Sequence, residues 1–162
     1  MEVQSEEFNN LKIHTQYSIC EGAIKIDDLA NYCKNNKVKA IGLADSYNLC
    51  GALEFAEKVS KAGTHPIIGT QINLLVDNYI GKISLYATSE QGYKNLTKLS
   101  SKSYLNNKTS NDPYCEIDDL ISNNHDLIIL TGNYRNFFGK LFFSNKFKLI
   151  EQLIKKIKVN FK

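Results

Sequence analysis

Two short apolar segments near the start of the chain are each followed directly by polar residues, and this pattern constrains the fold most. The first segment, Leu11–His14, leads into Thr15–Ser18, and the second, Ala40–Leu43, leads into Ala44–Ser46. An amphipathic helical pattern follows each segment, so strands and helices alternate. Ligands in parallel α/β sheets bind at the carboxyl ends of strands. The polar residues that end the two segments are therefore predicted to converge on one pocket.

The remainder of the chain continues this alternation, which predicts an α/β fold with mostly parallel strands. Periodicity alone leaves open whether the sheet is doubly wound or closed into a barrel. The further predicted elements are a strand from Pro66 to Val76, a turn over residues 77–81, a strand over residues 83–87, a helix that begins at Ser89, a short helix at about residues 118–122, a buried strand at Leu127–Leu130 and a final amphipathic helix over residues 147–161.

Length and composition indicate one globular domain without a membrane span. The chain has 162 residues, of which 43% are hydrophobic and 23% charged. It lacks any run of the ~20 apolar residues that a membrane helix needs. Residues 1–10 are polar and are expected to be flexible rather than a signal peptide. The four scattered cysteines form no CxxC pair, which favours reduced thiols and a cytoplasmic location.

The two halves of the chain differ in charge. Residues 1–81 contain 7 basic and 10 acidic side chains, whereas residues 82–162 contain 13 and 7. A basic carboxyl-terminal half is compatible with a position near nucleic acid, although the solvated faces of helices explain spread lysines equally simply. Any affinity for DNA is therefore expected to be weak and electrostatic.

Several ordered blocks of the sequence resemble one known family. The blocks are LKIHTQYSICEGAIKIDDL, AIGLADSYNLCGALEFAEKVSKAG, HPIIGTQINL, TSEQGYKNLTKLSSKSYL and HDLIILTGN. Together they are similar to the PHP (polymerase and histidinol phosphatase) domain at the amino terminus of bacterial DNA polymerase III alpha subunits. The resemblance implies a distorted (β/α)-barrel with seven strands. About five strand–helix units are recognisable, so residues 11–162 are expected to form an incomplete barrel, a partial PHP domain.

Active members of the family hold divalent metals with histidines and carboxylates, and the resemblance implies that most of these ligands are replaced here. Lysine has no lone pair for a metal and repels a cation. Histidine is replaced by lysine at positions 12 and 82 and by serine at position 46, glutamate by glutamine at position 71, and cysteine by asparagine at position 133. The vestigial cluster positions are Lys12, His14, Glu21, Asp45, Ser46, Gln71, Lys82 and Asn133.

These substitutions predict a dismantled site with no metal and no catalytic residue. Lys12 is expected to pair with Glu21 and Asp45, so that a protein cation stands where a metal ion would. A role as residual ligand remains conceivable for His14, but a hydrogen-bonded histidine is favoured. No cofactor is expected, and magnesium is expected only in a separate polymerase domain.

Three functions are weighed from the sequence. The favoured one is a non-catalytic structural domain of a replicative DNA polymerase alpha subunit, which contacts the rest of that chain and serves as a platform for a proofreading exonuclease subunit. The parent protein would perform template-directed DNA synthesis. The alternatives are an active metal-dependent phosphoesterase or 3′–5′ exonuclease, and a free-standing α/β binding module.

Without later barrel strands, Phe137–Phe138 and Phe142–Phe143 are expected to lack packing partners.

Overall fold

The computed structural model describes residues 8–105 and 112–161, which form one mixed sheet with helices packed against it. The predicted flexible segment 1–10 lies outside the described residues except for its last three, and so do residues 106–111, which the sequence indicates as part of a polar loop before Pro113. The elements are α1 (Ile26–Asn35), β1 (Ala40–Ser46), α2 (Ala52–Lys61), β2 (His65–Val76), β3 (Tyr79–Ala87), α3 (Glu90–Leu105), β4 (Tyr114–Glu116), α4 (Ile117–Ser122), β5 (Leu127–Leu130), α5 (Phe137–Phe143) and α6 (Phe147–Asn160).

Strand β2 is the centre of the sheet. The strand order is β1-β2-β3-β5, and β4 also pairs with β2. β1 and β4 pair in parallel with successive parts of β2, whereas β3 pairs antiparallel along its other edge. The α/β fold is confirmed. The sheet does not close on itself within the described part of the chain, as expected of an incomplete barrel.

The strand directions are more mixed than the sequence predicts, because β2 and β3 form a hairpin. The predicted turn over residues 77–81 is only two residues long, and β3 already begins at Tyr79. Asp77 adopts a positive φ of 53°, the conformation that two-residue hairpin turns favour. A turn this short forces β2 and β3 to run antiparallel, and β5 then pairs antiparallel with β3.

The predicted first strand exists only as isolated bridges at the edge of β1. Ile13 pairs in parallel with Leu43, and Thr15 pairs with Ile24. The Ile13 amide donates to the Gly42 carbonyl at 3.2 Å, and the Ala44 amide donates to the Ile13 carbonyl at 2.9 Å. A methyl group on Gly42 would lie 2.3 Å from the Leu11 carbonyl oxygen. The glycine therefore permits this close pairing, which places the residues after Ile13 beside the end of β1.

Two clusters of buried side chains hold the helices to the sheet. One joins α1, α2 and β1 through residues such as Ile26, Phe55 and Leu43. The other joins β2, β3, α3, α4, α5 and α6, and it includes Phe137 and Leu141. Helix α5 and strand β4 are not predicted from the sequence.

The expectation that residues 137–138 lack partners is wrong for this pair. Phe137 is fully buried, and Phe138 is partly buried against the same cluster. A side chain at Gly81 would lie 2.7 Å from the Cα of Phe137, so the glycine in β3 allows α5 to approach. Phe142 and Phe143 do remain exposed.

This packing predicts that Phe137→Ala lowers the free energy of unfolding by about 3–5 kcal/mol, because truncation leaves a cavity in the core. Phe143→Ala is the matched control. Its side chain is 69% exposed, so truncation should cost under about 1 kcal/mol. Urea denaturation followed by circular dichroism measures both values, and similar losses for the two variants would contradict the packing described here.

Candidate functional site

The polar residues predicted to converge do meet at the carboxyl end of β1. Residues 14–18 follow the edge segment that pairs with β1, and Asp45 and Ser46 end β1 itself. Glu21 and Lys82 reach the same place from the following loop and from β3. The site is thus built from four separate parts of the chain.

Asp45 lies at the bottom of the site and is 1% exposed. One carboxylate oxygen accepts hydrogen bonds from the Thr15 amide and the Ser18 hydroxyl, both at 2.6 Å. The other accepts from the Thr15 hydroxyl at 2.7 Å. These three donors come from a single tight loop, so the buried carboxylate is stabilised by neutral hydrogen-bond donors.

Above this carboxylate, Lys82 forms an ion pair with Glu21. The ammonium group of Lys82 contacts one carboxylate oxygen of Glu21 and donates to the Ser46 hydroxyl at 3.0 Å. The Ser46 hydroxyl in turn donates to the second oxygen of Glu21 at 2.6 Å. Lys82 also lies over the ring of Tyr47, 4.9 Å from its centroid. The cation is therefore held by a carboxylate, a hydroxyl and an aromatic face.

The ionisation of Glu21 and His14 reflects these neighbours. Burial opposes ionisation of Glu21, but hydrogen bonds from Lys82 and Ser46 and the charge of Lys82 together hold its pKa below the ordinary 4.5. Burial lowers the pKa of His14 below 6.5, and the positive charges of Lys12 and Lys82 also lower it. Together these effects outweigh the negative charges of Glu21 and Asp45, which raise it. The imidazole is thus predominantly neutral at pH 7. Its Nδ1 lies 3.2 Å from the Ser18 hydroxyl and 3.5 Å from Glu21.

Lys12 does not have the role that the sequence analysis gives it. Its side chain is exposed and forms no ion pair with the residues that the structure describes. Lys82, which lies in β3, pairs with Glu21 instead, and hydroxyl and amide donors bind Asp45. The cation beside Glu21 is therefore Lys82 and not Lys12, because strand β3 brings residue 82 across the sheet.

The other two vestigial positions lie away from this ion pair. Gln71 is buried in β2, and its amide nitrogen donates to the Ser84 hydroxyl at 2.8 Å. Asn133 is exposed, and its side-chain oxygen accepts from the Arg135 amide at 2.9 Å. In the part of the chain that the structure describes, neither side chain forms a hydrogen bond or an ion pair with Glu21 or Asp45.

Three residues contribute to the site without having been given an individual role there by the sequence. Thr15 and Ser18 are fully buried and bind Asp45, and Tyr47 packs against Lys82. Burial raises the pKa of Tyr47 to about 12. The available signal was the run of polar residues directly after His14, where hydroxyl groups stand one and four positions on. The convergence of this run with the end of β1 is predicted, but only the fold shows which hydroxyl groups bind Asp45.

The donor set does not suit a divalent cation. The oxygens of Asp45 already accept three short hydrogen bonds, and the ammonium of Lys82 sits against Glu21. Within residues 8–105 and 112–161, no group of three histidine, cysteine or acidic side chains lies close enough together to bind a metal ion. We therefore derive no chemical step through a metal ion.

A cavity of about 400 Å³ opens beside the ion pair. Asn73, which accepts a hydrogen bond from the Tyr47 hydroxyl at 3.4 Å, forms part of its wall. The basic residues Arg135 and Lys140 line the cavity together with Lys82. The opening is thus predominantly polar and carries cations from α5 and from the loop before it.

Comparison with known proteins identifies the family. The PHP domain family matches residues 10–162. The chain belongs to this family. The alpha subunit of DNA polymerase III from Haemophilus influenzae is 33% identical over 152 residues, which are 91% of this chain and 13% of that protein. The Rickettsia felis alpha subunit is 39% identical over 135 residues, 83% of this chain and 11% of that protein. This PHP domain thus spans only about an eighth of the length of such relatives.

A solved structure gives a weaker match. A protein from Bifidobacterium adolescentis, assigned as a metal-dependent phosphoesterase, aligns with a TM-score of 0.43 and 16% identity over 71% of this chain and 42% of its own. In the described part of this PHP domain, no helix has the length and apolar character needed to cross a membrane.

The contacts of Asp45 predict that it is essential for stability. Asp45→Ala removes the acceptor for two hydroxyl groups and one amide, all buried, and should cost about 2–4 kcal/mol. Asp45→Asn keeps one acceptor oxygen and should cost less. Asp28→Ala, at an exposed position of α1, is the control. Urea unfolding measures all three, and an Asp45→Ala variant as stable as the control would exclude this role.

The Lys82–Glu21 pair predicts a pH-dependent contribution to stability. Because the pKa of Glu21 is lower in the folded chain than its ordinary 4.5, the contribution is present above pH 4.5 and is lost as the pH falls through the folded pKa. Lys82→Met should cost at most about 1 kcal/mol at pH 7, since Glu21 is 38% exposed. The difference from the parent should shrink below pH 4.5.

The exposed pair Lys94–Glu90, with side chains 59% and 82% exposed, supplies the control Lys94→Met. This variant should match the parent within about 0.5 kcal/mol at every pH. Thermal unfolding between pH 3.5 and 7 tests both variants. A gap between Lys82→Met and the parent that stays constant below pH 4.5 would speak against the ion pair as its cause.

Proposed function

We propose that this chain is the amino-terminal PHP domain of a replicative DNA polymerase alpha subunit and that its own role is structural. Similarity to the Haemophilus influenzae and Rickettsia felis alpha subunits over most of the chain supports the assignment. Template-directed DNA synthesis would then belong to other parts of the same protein. A cytoplasmic location follows from this assignment.

The observation that carries the non-catalytic role is the ion pair between Lys82 and Glu21. An ammonium group at this point repels a divalent cation and occupies one of the few carboxylates of the site. Asp45 is committed to Thr15 and Ser18. In place of metal ions, protein groups neutralise the acids, so the pocket needs no metal to be stable.

A domain released from catalysis can serve as a docking platform, and we propose a proofreading exonuclease subunit as its partner. Synthesis and proofreading act on the same DNA end, so a surface on the polymerase chain that retains the exonuclease raises its effective concentration there. Co-elution of the chain with the exonuclease subunit in size-exclusion chromatography tests this role. Separate elution at micromolar concentrations would contradict it.

The inactive-site proposal predicts that the chain neither binds metal stoichiometrically nor hydrolyses phosphoesters. Elemental analysis of protein purified with zinc and manganese should find less than one ion per chain, and a thermal shift assay should show no specific stabilisation. Stoichiometric metal, together with phosphoester cleavage that a chelator abolishes, would establish the rival function of a metal-dependent phosphoesterase or exonuclease.

Restoration of ligands provides the positive counterpart. Lys12→His alone should change stability little, because Lys12 is exposed. The combination Lys12→His, Ser46→His, Gln71→Glu and Lys82→His removes the competing cation and adds imidazole and carboxylate donors. It should gain a zinc-dependent thermal shift that the parent lacks. The same combination with Lys82 retained is the matched control and should respond less, because the ammonium group remains beside Glu21.

A further inference from the structure

Four exposed aromatic side chains lie together around α5 and the start of α6. Tyr134, Phe142, Phe143 and Phe147 have 60%, 56%, 69% and 53% of their surface exposed. Large aromatic side chains that cluster on a surface commonly mark a binding site. Together with the basic residues Arg135, Lys146 and Lys148, we call this region the aromatic–basic surface.

The four rings are contiguous. The ring centroids of Tyr134 and Phe143 are 6.4 Å apart, those of Phe143 and Phe142 are 5.8 Å apart, and those of Phe142 and Phe147 are 5.4 Å apart. All three pairs are edge-to-face. In this arrangement neighbouring rings do not cover one another's faces completely, so faces remain available to a planar ligand.

The segment that carries the four rings contains charged residues of one sign only. Between Asp126 and Glu151 the sequence contains one arginine and three lysines and no acidic residue. Arg135 lies 5.3 Å from the centroid of the Tyr134 ring, and Lys146 lies 5.8 Å from that of Tyr79. Neither Arg135 nor Lys146 forms an ion pair with a described residue. Their charges are therefore available to an anionic ligand.

A groove continues the aromatic–basic surface towards the β2–β3 hairpin. It has a volume of about 630 Å³, and Tyr79, Lys146, Phe147 and Lys148 contribute to its walls, together with one acidic residue, Asp77. Two contacts between a cation and a ring, Arg135 with Tyr134 and Lys146 with Tyr79, thus lie at the two ends of this region. A chain of phosphates and planar bases alternates negative charge and aromatic face.

We propose that the aromatic–basic surface binds single-stranded DNA, with bases stacked on the phenylalanine rings and phosphates beside Arg135, Lys146 and Lys148. Single-stranded sites combine a basic groove with exposed aromatic rings in this way. Duplex DNA fits this surface less well, because its bases stay stacked on each other. A protein partner is disfavoured because lysine is depleted in protein–protein interfaces. The inference goes beyond the structural role proposed above, and it differs from the expectation that any DNA affinity is only electrostatic.

Fluorescence anisotropy with a labelled 15-nucleotide oligothymidylate tests the stacking. The parent chain should bind it with a salt slope of about −2, because three phosphate contacts contribute about −0.7 each. Phe142→Leu/Phe143→Leu keeps the apolar character but removes two aromatic faces. It should weaken binding at least about fivefold at every salt concentration, since stacking is worth about 1–3 kcal/mol per base. Phe8→Leu, an exposed phenylalanine elsewhere, should bind like the parent.

The basic residues are tested separately. Lys146→Gln/Lys148→Gln should reduce the magnitude of the salt slope by about 1.4, because two phosphate contacts are lost. Lys34→Gln/Lys61→Gln removes two exposed lysines from α1 and α2 and should leave the slope unchanged.

The absence of tryptophan from the sequence allows a direct probe of stacking. In Phe143→Trp the single indole should be quenched by the oligonucleotide, and the quenching should saturate at the concentration at which anisotropy does. In Phe8→Trp the emission should stay constant.

Three results would overturn the proposal. The first is no measurable binding to the parent in 50 mM salt, and the second is equal affinity of the parent for a duplex of the same length. The third is a Phe142→Leu/Phe143→Leu variant that binds like the parent. If the parent also self-associates through this surface and the leucine variant does so equally, the surface is an apolar interface between copies instead.

Discussion

The buried carboxylate of Asp45 is the constraint on which the rest of the site depends. A charged group that is 1% exposed is tolerated only when its oxygens are hydrogen-bonded. The loop from Thr15 to Ser18 supplies the donors, and it can do so because Ile13 pairs with β1 next to Gly42. The hydrogen bonds to Asp45 therefore also hold the chain segment before β1 against the carboxyl end of that strand.

The second level of the site depends on the first. Once the loop is fixed, Glu21 lies above the end of β1, where the Ser46 hydroxyl and the Lys82 ammonium reach it. The same position in metal-binding relatives of this family would require donors without positive charge. Here the ammonium group of Lys82 neutralises Glu21 and is of the same sign as a divalent cation, which it would repel. If the site is inactive as proposed, this one ion pair would explain both the loss of catalysis and the stability of the pocket.

Much of this could be predicted from residue patterns, and the failures are informative. The convergence of residues at the carboxyl end of β1 followed from the order of apolar and polar segments. The partner of Glu21 did not, because Lys12 is near in sequence whereas Lys82 is near only across the sheet. Helix α5 was missed because its Phe137–Phe143 sequence is apolar on several sides. The mixed strand directions depend on a two-residue turn at Asp77, whose length no periodicity shows.

The length of β2 has a consequence for local unfolding of the chain. Its first part packs Ile68 against the cluster of α1, α2 and β1, and its second part places Ile72 and Leu74 in the larger cluster. Apart from Leu49, which touches both clusters, and the polar contacts of Lys82 with Glu21 and Ser46, β2 is their main connection. Such a division favours cooperative units that open separately. The half that carries Asp45 can loosen while the half that carries α5 stays closed, so amide exchange should be slowest around Ile72–Leu74.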